Sequence, residues 1–152
     1  MARGMLDVLW FPAIEISVDA VAWRLLDRIE QVGTKRLVID GIDGFQAMIT
    51  CQKRLLRFLT ALVTRLAALG ATTVMTEASF AAPTHSETAA RASPNNLLVL
   101  SEARGGRHVR RTIESIKVQA GPHDIAPRRI RISSKGLSID RPWRGRFRGD
   151  KP

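Results

Sequence analysis

Five consecutive residues, Arg36-Leu37-Val38-Ile39-Asp40, set one carboxylate directly after a run of β-favouring side chains. Leu37, Val38 and Ile39 favour extended backbone, and such a continuous run is the pattern of a strand buried in a parallel sheet. An acid at the carboxyl edge of that strand can hold Mg²⁺, directly or through water, beside nucleotide phosphates. The same pattern equally describes an ordinary buried strand whose last aspartate caps a loop. These five residues alone leave both readings open.

Other reactive side chains offer less. Cys51 is the single cysteine, so the chain has neither an internal disulfide nor a thiolate cluster, and a reducing compartment is expected. His85, His108 and His123 have no ligand spacing with one another or with Cys51, which argues against zinc. Glu77 follows a second β-favouring run and reads as a surface carboxylate, or as a group that orients water or a subunit contact. At the end of the chain Trp143 and Phe147 are interleaved with Arg141, Arg144, Arg146 and Arg148. Cations for phosphate and aromatic faces for stacking are the materials of single-strand nucleic-acid binding, and also of a solvated tail.

These residues need elements to position them. Val21, Leu25, Leu26 and Ile29 share one face of a helix over 19–32, with Ser17 or Asp19 as its N-cap and Gly33 as its stop. Leu55, Phe58, Leu59, Leu62, Val63, Leu66 and Leu69 recur at three and four, which predicts a helix over 50–69 ended by Gly70. Residues 71–76 then read as a second buried strand, and residues 5–10 as a strand or its remnant. Strand, helix and strand in close succession form the pattern of a parallel α/β sheet. Gly41 and Gly44 bracket an expected loop, and residues 81–96 an expected mobile one.

From Asn96 onward hairpins are expected. Residues 97–102 and 108–118 flank Arg104-Gly105-Gly106-Arg107, and 129–132 and 137–139 flank Ser133-Ser134-Lys135-Gly136. Alternation in the 108–118 strand slips between Ile113 and Ile116, which predicts a bulge. Residues 141–152 read as a basic, flexible tail.

The chain has 152 residues and a formal charge of +10, enough for one buried core. Residues 1–90 carry nine basic and nine acidic residues, whereas 91–152 carry 15 and 5, so the second segment supplies the whole excess. An anionic partner follows as a class, whether nucleic acid, nucleotide phosphate or an acidic protein face. The most apolar stretch, 55–69, is broken by Arg57 and Arg65, so no membrane span is expected, and residues 1–7 lack the apolar run of a signal peptide. The cytoplasm is the expected location.

Taken in order, these segments resemble a known family. Residues 36–45 (Arg-Leu-Val-Ile-Asp-Gly-Ile-Asp-Gly-Phe), a long helix, and 70–77 (Gly-Ala-Thr-Thr-Val-Met-Thr-Glu) are similar to the second half of a KaiC-like ATPase domain of the RecA superfamily. Asn95 to Leu100, the Gly105-Gly106 turn, Arg110 to Ile113, Ile116 to Val118, His123-Asp124 and Ile130 to Leu137 continue it, as does Leu9-Trp10-Phe11-Pro12 with Asp19 upstream. The order and spacing over about residues 5–140 carry the resemblance; no single motif does.

The resemblance implies a partial RecA-like three-layer α/β domain, its sheet mostly parallel with C-terminal antiparallel hairpins, over 1–140. It implies ATP and Mg²⁺ as ligands, Asp40 as the metal-associated carboxylate and Thr76 as a polar residue facing the terminal phosphate. Lys117 matches the lysine of a Lys-x-Arg finger directed across a subunit boundary, and Arg104, Arg107, Arg110 and Arg111 become candidate anion-binding residues at that boundary. Implied partners are further copies or intact KaiC-like subunits in a ring, with nucleic acid as an alternative.

Two departures bear on activity. Gln119 stands where the finger has arginine, and no Gly-x-x-x-x-Gly-Lys-Ser/Thr occurs in the chain. The chain therefore looks like the C-terminal part of such a domain, with roughly a hundred residues of phosphate-binding half expected upstream. Alone it is not expected to hydrolyse ATP, and a sheet lacking its central strand is expected to self-associate through open edges.

Overall fold

A computed structural model of the chain describes residues 6–12, 16–49, 51–78, 94–105 and 108–142. They belong to two compact units divided between Pro94 and Asn95. The first is built from α1 (Val18–Val32), β1 (Arg36–Ile39), α2 (Asp43–Met48), α3 (Gln52–Ala68) and β2 (Thr72–Met75). The second is built from β3 (Asn96–Gly105), β4 (His108–Val118), β5 (Arg128–Ser133) and β6 (Gly136–Pro142). The fold is mixed α/β. Among the described residues, no helix is long and apolar enough to cross a membrane.

Helix α1 forms where its periodicity predicts. Val18, Val21, Leu25 and Ile29 are buried along one stripe, and the Ser17 hydroxyl accepts a hydrogen bond from the Ala20 amide at 3.3 Å. Gly33 ends the helix at φ 70°, its amide donating to the Ile29 carbonyl. Only glycine adopts that conformation without strain. Helix α3 buries Leu55, Leu59, Leu62 and Leu66 in the same manner. Between them Phe45 of α2 meets Phe58 edge to face, with ring centroids 5.3 Å apart.

Strands β1 and β2 pair in parallel, Arg36 opposite Thr72 and Ile39 opposite Met75. Leu37, Ile39 and Met75 pack on the helical core, while Val38 and Val74 on the other face are 66% and 55% exposed. The strands are therefore covered on one face only, not buried on both as their apolar runs suggest. A continuous apolar run does not reveal which face is covered. Two further local expectations change. Residues 6–12 form no strand, and Asp7 instead accepts a 2.6 Å hydrogen bond from the Arg28 guanidinium. The segment bracketed by Gly41 and Gly44 is not a plain loop but carries the six-residue α2, with Ile42, Phe45 and Ile49 in the core. The expected loop at 81–96 falls mostly outside the described residues, and the tail from 143 does so entirely.

The second unit is an antiparallel meander in the order β3-β4-β5-β6. Leu97 pairs with Lys117 and Leu98 with Ser115, so Ile116 is the extra residue of a bulge, where the slipped alternation predicted it. The turn at Ser134 and Lys135 closes the last hairpin onto Gly136. Cross-strand register puts Leu98, Leu100, Ile113, Ile130, Ile132, Leu137 and Ile139 on one face. Of these only Ile130 is buried; Leu100, Ile132 and Leu137 are more than 60% exposed. The opposite face carries Arg110, Lys117, Arg129 and Arg131, the last paired with Asp140 at 2.9 Å. In the loop before β5, Asp124 accepts from the Ala126 amide at 2.9 Å and from Arg128 at 2.7 Å.

Leu66 is fully buried, so Leu66→Ala should lower unfolding free energy by about 2–5 kcal/mol, whereas Val38→Thr on the open face should change it by less than about 0.5 kcal/mol. Urea denaturation of both variants checks the contrast. The Ala126 amide, and after it the Arg128 guanidinium, hold the Asp124 carboxyl below its ordinary range. A depressed folded pKa adds stability above the unfolded value, lost as pH falls through the folded one. An NMR titration should find Asp124 more acidic than a free aspartate, and Arg128→Gln should move it back upward.

Candidate functional site

The parallel register that ends at Ile39 and Met75 makes Asp40 and Thr76 neighbours at the carboxyl edge of the two strands. The ladder continues one step beyond them, with the Thr76 amide donating to the Ile39 carbonyl at 3.0 Å and the Ile42 amide to the Thr76 carbonyl at 2.8 Å. Between these backbone bonds the side chains interlock. The Thr76 hydroxyl donates to Asp40 Oδ1 at 2.7 Å and accepts from the Gly41 amide at 2.8 Å. One hydroxyl thus uses both its donor and an acceptor to fix the carboxylate against the turn. Gly41, at φ 86°, lets the chain leave β1 sharply enough to present that amide.

A second pair of contacts frames this junction. Asp43 Oδ2 accepts from the Ala78 amide at 3.2 Å, and the Gln46 side-chain amide donates to Glu77 Oε1 at 2.6 Å. Both tie the start of α2 to the segment after β2. Three carboxylates, Asp40, Asp43 and Glu77, therefore stand at one edge of the sheet, where open α/β sheets bind ligands. Asp43 and Glu77 have part of their acceptor capacity engaged, Asp43 by the Ala78 backbone amide and Glu77 by the Gln46 side chain. Asp40 keeps Oδ2 without a partner among the described residues. Asp43, Gln46 and the Gly41 amide escaped sequence reasoning because their partners lie more than thirty residues away. The Gly-Ile-Asp-Gly composition of 41–44 was the available signal, but it reads as a loop.

The donor set suits a hard cation. A carboxylate oxygen with a hydroxyl behind it matches Mg²⁺, which uses one or two protein carboxylates and fills its other positions with water and phosphate. No group of three or more His, Cys, Asp or Glu side chains able to cage a metal occurs among the described residues. A triphosphate finds less here. The Gly41 and Ile42 amides are already committed to Thr76, and the chain holds no glycine-rich Lys-Ser/Thr loop.

The remaining candidates lie in the second unit. Lys117 is half-buried on β4, and the bulge at Ile116 decides its face. Uninterrupted alternation would align it with Ile113 and Ser115, whereas the extra residue moves it beside Leu97 on the opposite, polar face. The Gln119 amide donates to the Asn95 carbonyl at the open end of the hairpin. Arg110 and Arg111 occupy opposite faces of β4, and Arg111 pairs with Glu102 across the strands at 3.1 Å. Arg104 belongs to β3, but its side chain, like the whole of Arg107, lies outside the described residues.

Residues 11–143 match a family model described as "ATPase: KaiC". The chain belongs to the KaiC ATPase family. A solved KaiC-like protein of the hyperthermophilic archaeon Pyrococcus horikoshii OT3 shares the fold, with a TM-score of 0.70 at 20% identity. That match covers 91% of this KaiC-family chain and 61% of the archaeal one, so the chain spans less than two thirds of the relative's length. A search of curated proteins returned no significant match.

Thr76→Val keeps the shape of the side chain and removes both hydroxyl hydrogen bonds. Denaturant unfolding should register a loss of about 1 kcal/mol, with Thr76→Ser close to the parent chain.

Proposed function

We propose that this KaiC-family chain supplies the metal-holding portion of an ATPase domain, with Asp40 as the carboxylate that takes Mg²⁺ through its open Oδ2. The observation that carries the proposal is the 2.7 Å bond from the Thr76 hydroxyl to Asp40 Oδ1 at the carboxyl edge of paired parallel strands. ATP bound with Mg²⁺ would provide the phosphoryl group to be transferred, and the metal would neutralise charge developing on it. Asp40 would hold the metal. Thr76, one residue past β2, would orient Asp40, and by the family resemblance it would face a terminal phosphate. Gly41 would keep Thr76 in its acceptor geometry.

This reading requires a phosphate-binding loop that these 152 residues do not contain. In a ring of such subunits Lys117, on its bulged strand, would reach towards a neighbour's nucleotide. With Gln119 as its companion in place of arginine, that finger carries one cation. Arg104, Arg107, Arg110 and Arg111 would meet an acidic face or a nucleotide of a neighbour across the same subunit boundary. A second reading rests on the placement of charge. Because residues 91–152 carry the whole +10, the hairpin and tail could dock the chain on nucleic acid or on intact ATPase subunits.

The test is complementation. The chain is mixed with a KaiC-like segment that ends before the Asp40 strand and contains the glycine-rich loop, and Mg²⁺-dependent ATP hydrolysis is measured. Hydrolysis should appear only in the mixture, and Asp40→Ala should lower it on the order of 100-fold or more, as expected when several kcal/mol of metal stabilisation are lost. Hydrolysis indifferent to Asp40→Ala would sink the assignment. Salt-sensitive binding of single-stranded DNA that disappears on removing residues 141–152, without any hydrolysis, would support the second reading instead.

A further inference from the structure

Helices α1 and α3 are joined by two ion pairs, Asp19 with Arg54 at 3.3 Å and Glu30 with Arg65 at 4.0 Å. Each pair spans the same 35 positions in sequence (54 − 19 and 65 − 30), so the helices run side by side in the same direction over three turns, about 16 Å. Between the pairs lies a groove of about 300 Å³ that Ala22, Trp23 and Leu26 line from α1, and Phe58, Ala61 and Leu62 from α3. The two alanines make the depression. Trp23 rises beside it with 74% of its surface exposed. An exposed aromatic beside an apolar trough offers a partner both a ring to cover and a recess to fill.

We propose that this groove docks an amphipathic helix of a partner protein whose apolar stripe is flanked by carboxylates. Three-turn length suits a helix that inserts anchors at i, i+3 or i+4, and i+7. The charge of the rim selects among such helices. Helix α3 (Gln52–Ala68) contains Lys53, Arg54, Arg57 and Arg65 and no acidic residue. Arg54 and Arg65 are engaged by α1. Lys53 and Arg57, one turn apart on the row that continues to Ala61, are exposed and have no carboxylate partner among the described residues. A partner helix with acidic residues along one flank would satisfy both cations while its apolar face covers Trp23 and fills the depression. Laid against α3, a basic flank would meet uncompensated positive charge instead.

The experiment uses the full chain and two labelled helical peptides of about sixteen residues with identical leucine stripes, one flanked by glutamates and one by lysines. Fluorescence anisotropy should give a micromolar Kd for the glutamate peptide, and about 10-fold weaker binding or more for the lysine peptide, the effect of two exposed ion pairs acting together. Ala61→Trp fills the groove from an exposed position and should abolish binding with an unchanged thermal melt. The double change Lys53→Glu and Arg57→Glu should reverse the preference between peptides. Equal binding of both peptides, no binding of either, or glutamate-peptide binding that survives Ala61→Trp would overturn the proposal. So would a dimer in sizing experiments that Ala61→Trp converts to monomer, because a second copy would then be the occupant.

Discussion

Two strands of four residues each, paired in parallel, are the constraint on which the first unit depends. Their register aligns Ile39 with Met75, so the next residue of each chain, Asp40 and Thr76, arrives at the same place from segments 36 positions apart. Parallel strands cannot be joined by a tight turn and need a crossover connection. The connection here is α2 and α3, whose buried stripe must match that of α1. The packing of Leu55, Leu59, Leu62 and Leu66 against Val21, Leu25 and Ile29 is therefore what brings the two strand ends level. Damage to that core would be felt at Asp40 without any change in the carboxylate itself.

Much of this scaffold was legible before any coordinates. Periodicity located α1 and α3, composition located β1 and β2, Gly33 marked the end of α1 and Ser17 was one of two candidates for its start, and a slipped alternation located the bulge at Ile116. Each of those signals is local. The six-residue α2 escaped because it is too short to display a period and contains Gly44, which disfavours helix. Leu6 to Trp10 looked like a strand on propensity alone, yet a strand requires a partner and none pairs with them among the described residues.

The site divides in the same way. Asp40 was legible as a carboxylate after a strand, and Thr76 through the resemblance of its segment to the family. Their hydrogen bond was not legible, nor were the roles of Asp43 and Gln46, because each depends on which distant backbone amide or side chain the fold delivers. The even charge balance of residues 1–90 likewise hid its own arrangement. In the structure it resolves into pairs with geometric meaning, such as Asp19 with Arg54, and into cations such as Arg57 that have no carboxylate opposite them among the described residues.

The antiparallel meander keeps most of one apolar face in water, with Leu98, Leu100, Ile132, Leu137 and Ile139 all substantially exposed. Its strands are held by a hydrogen-bonded ladder whose strength changes little over ordinary temperatures, but apolar surface behaves differently. Hydration of these five side chains carries a positive heat capacity, so any surface that comes to cover them should bind with a negative heat-capacity change. That association should loosen on cooling. The second unit would then be better behaved in the cold than at physiological temperature, a handling property set by five side chains and the register that aligns them.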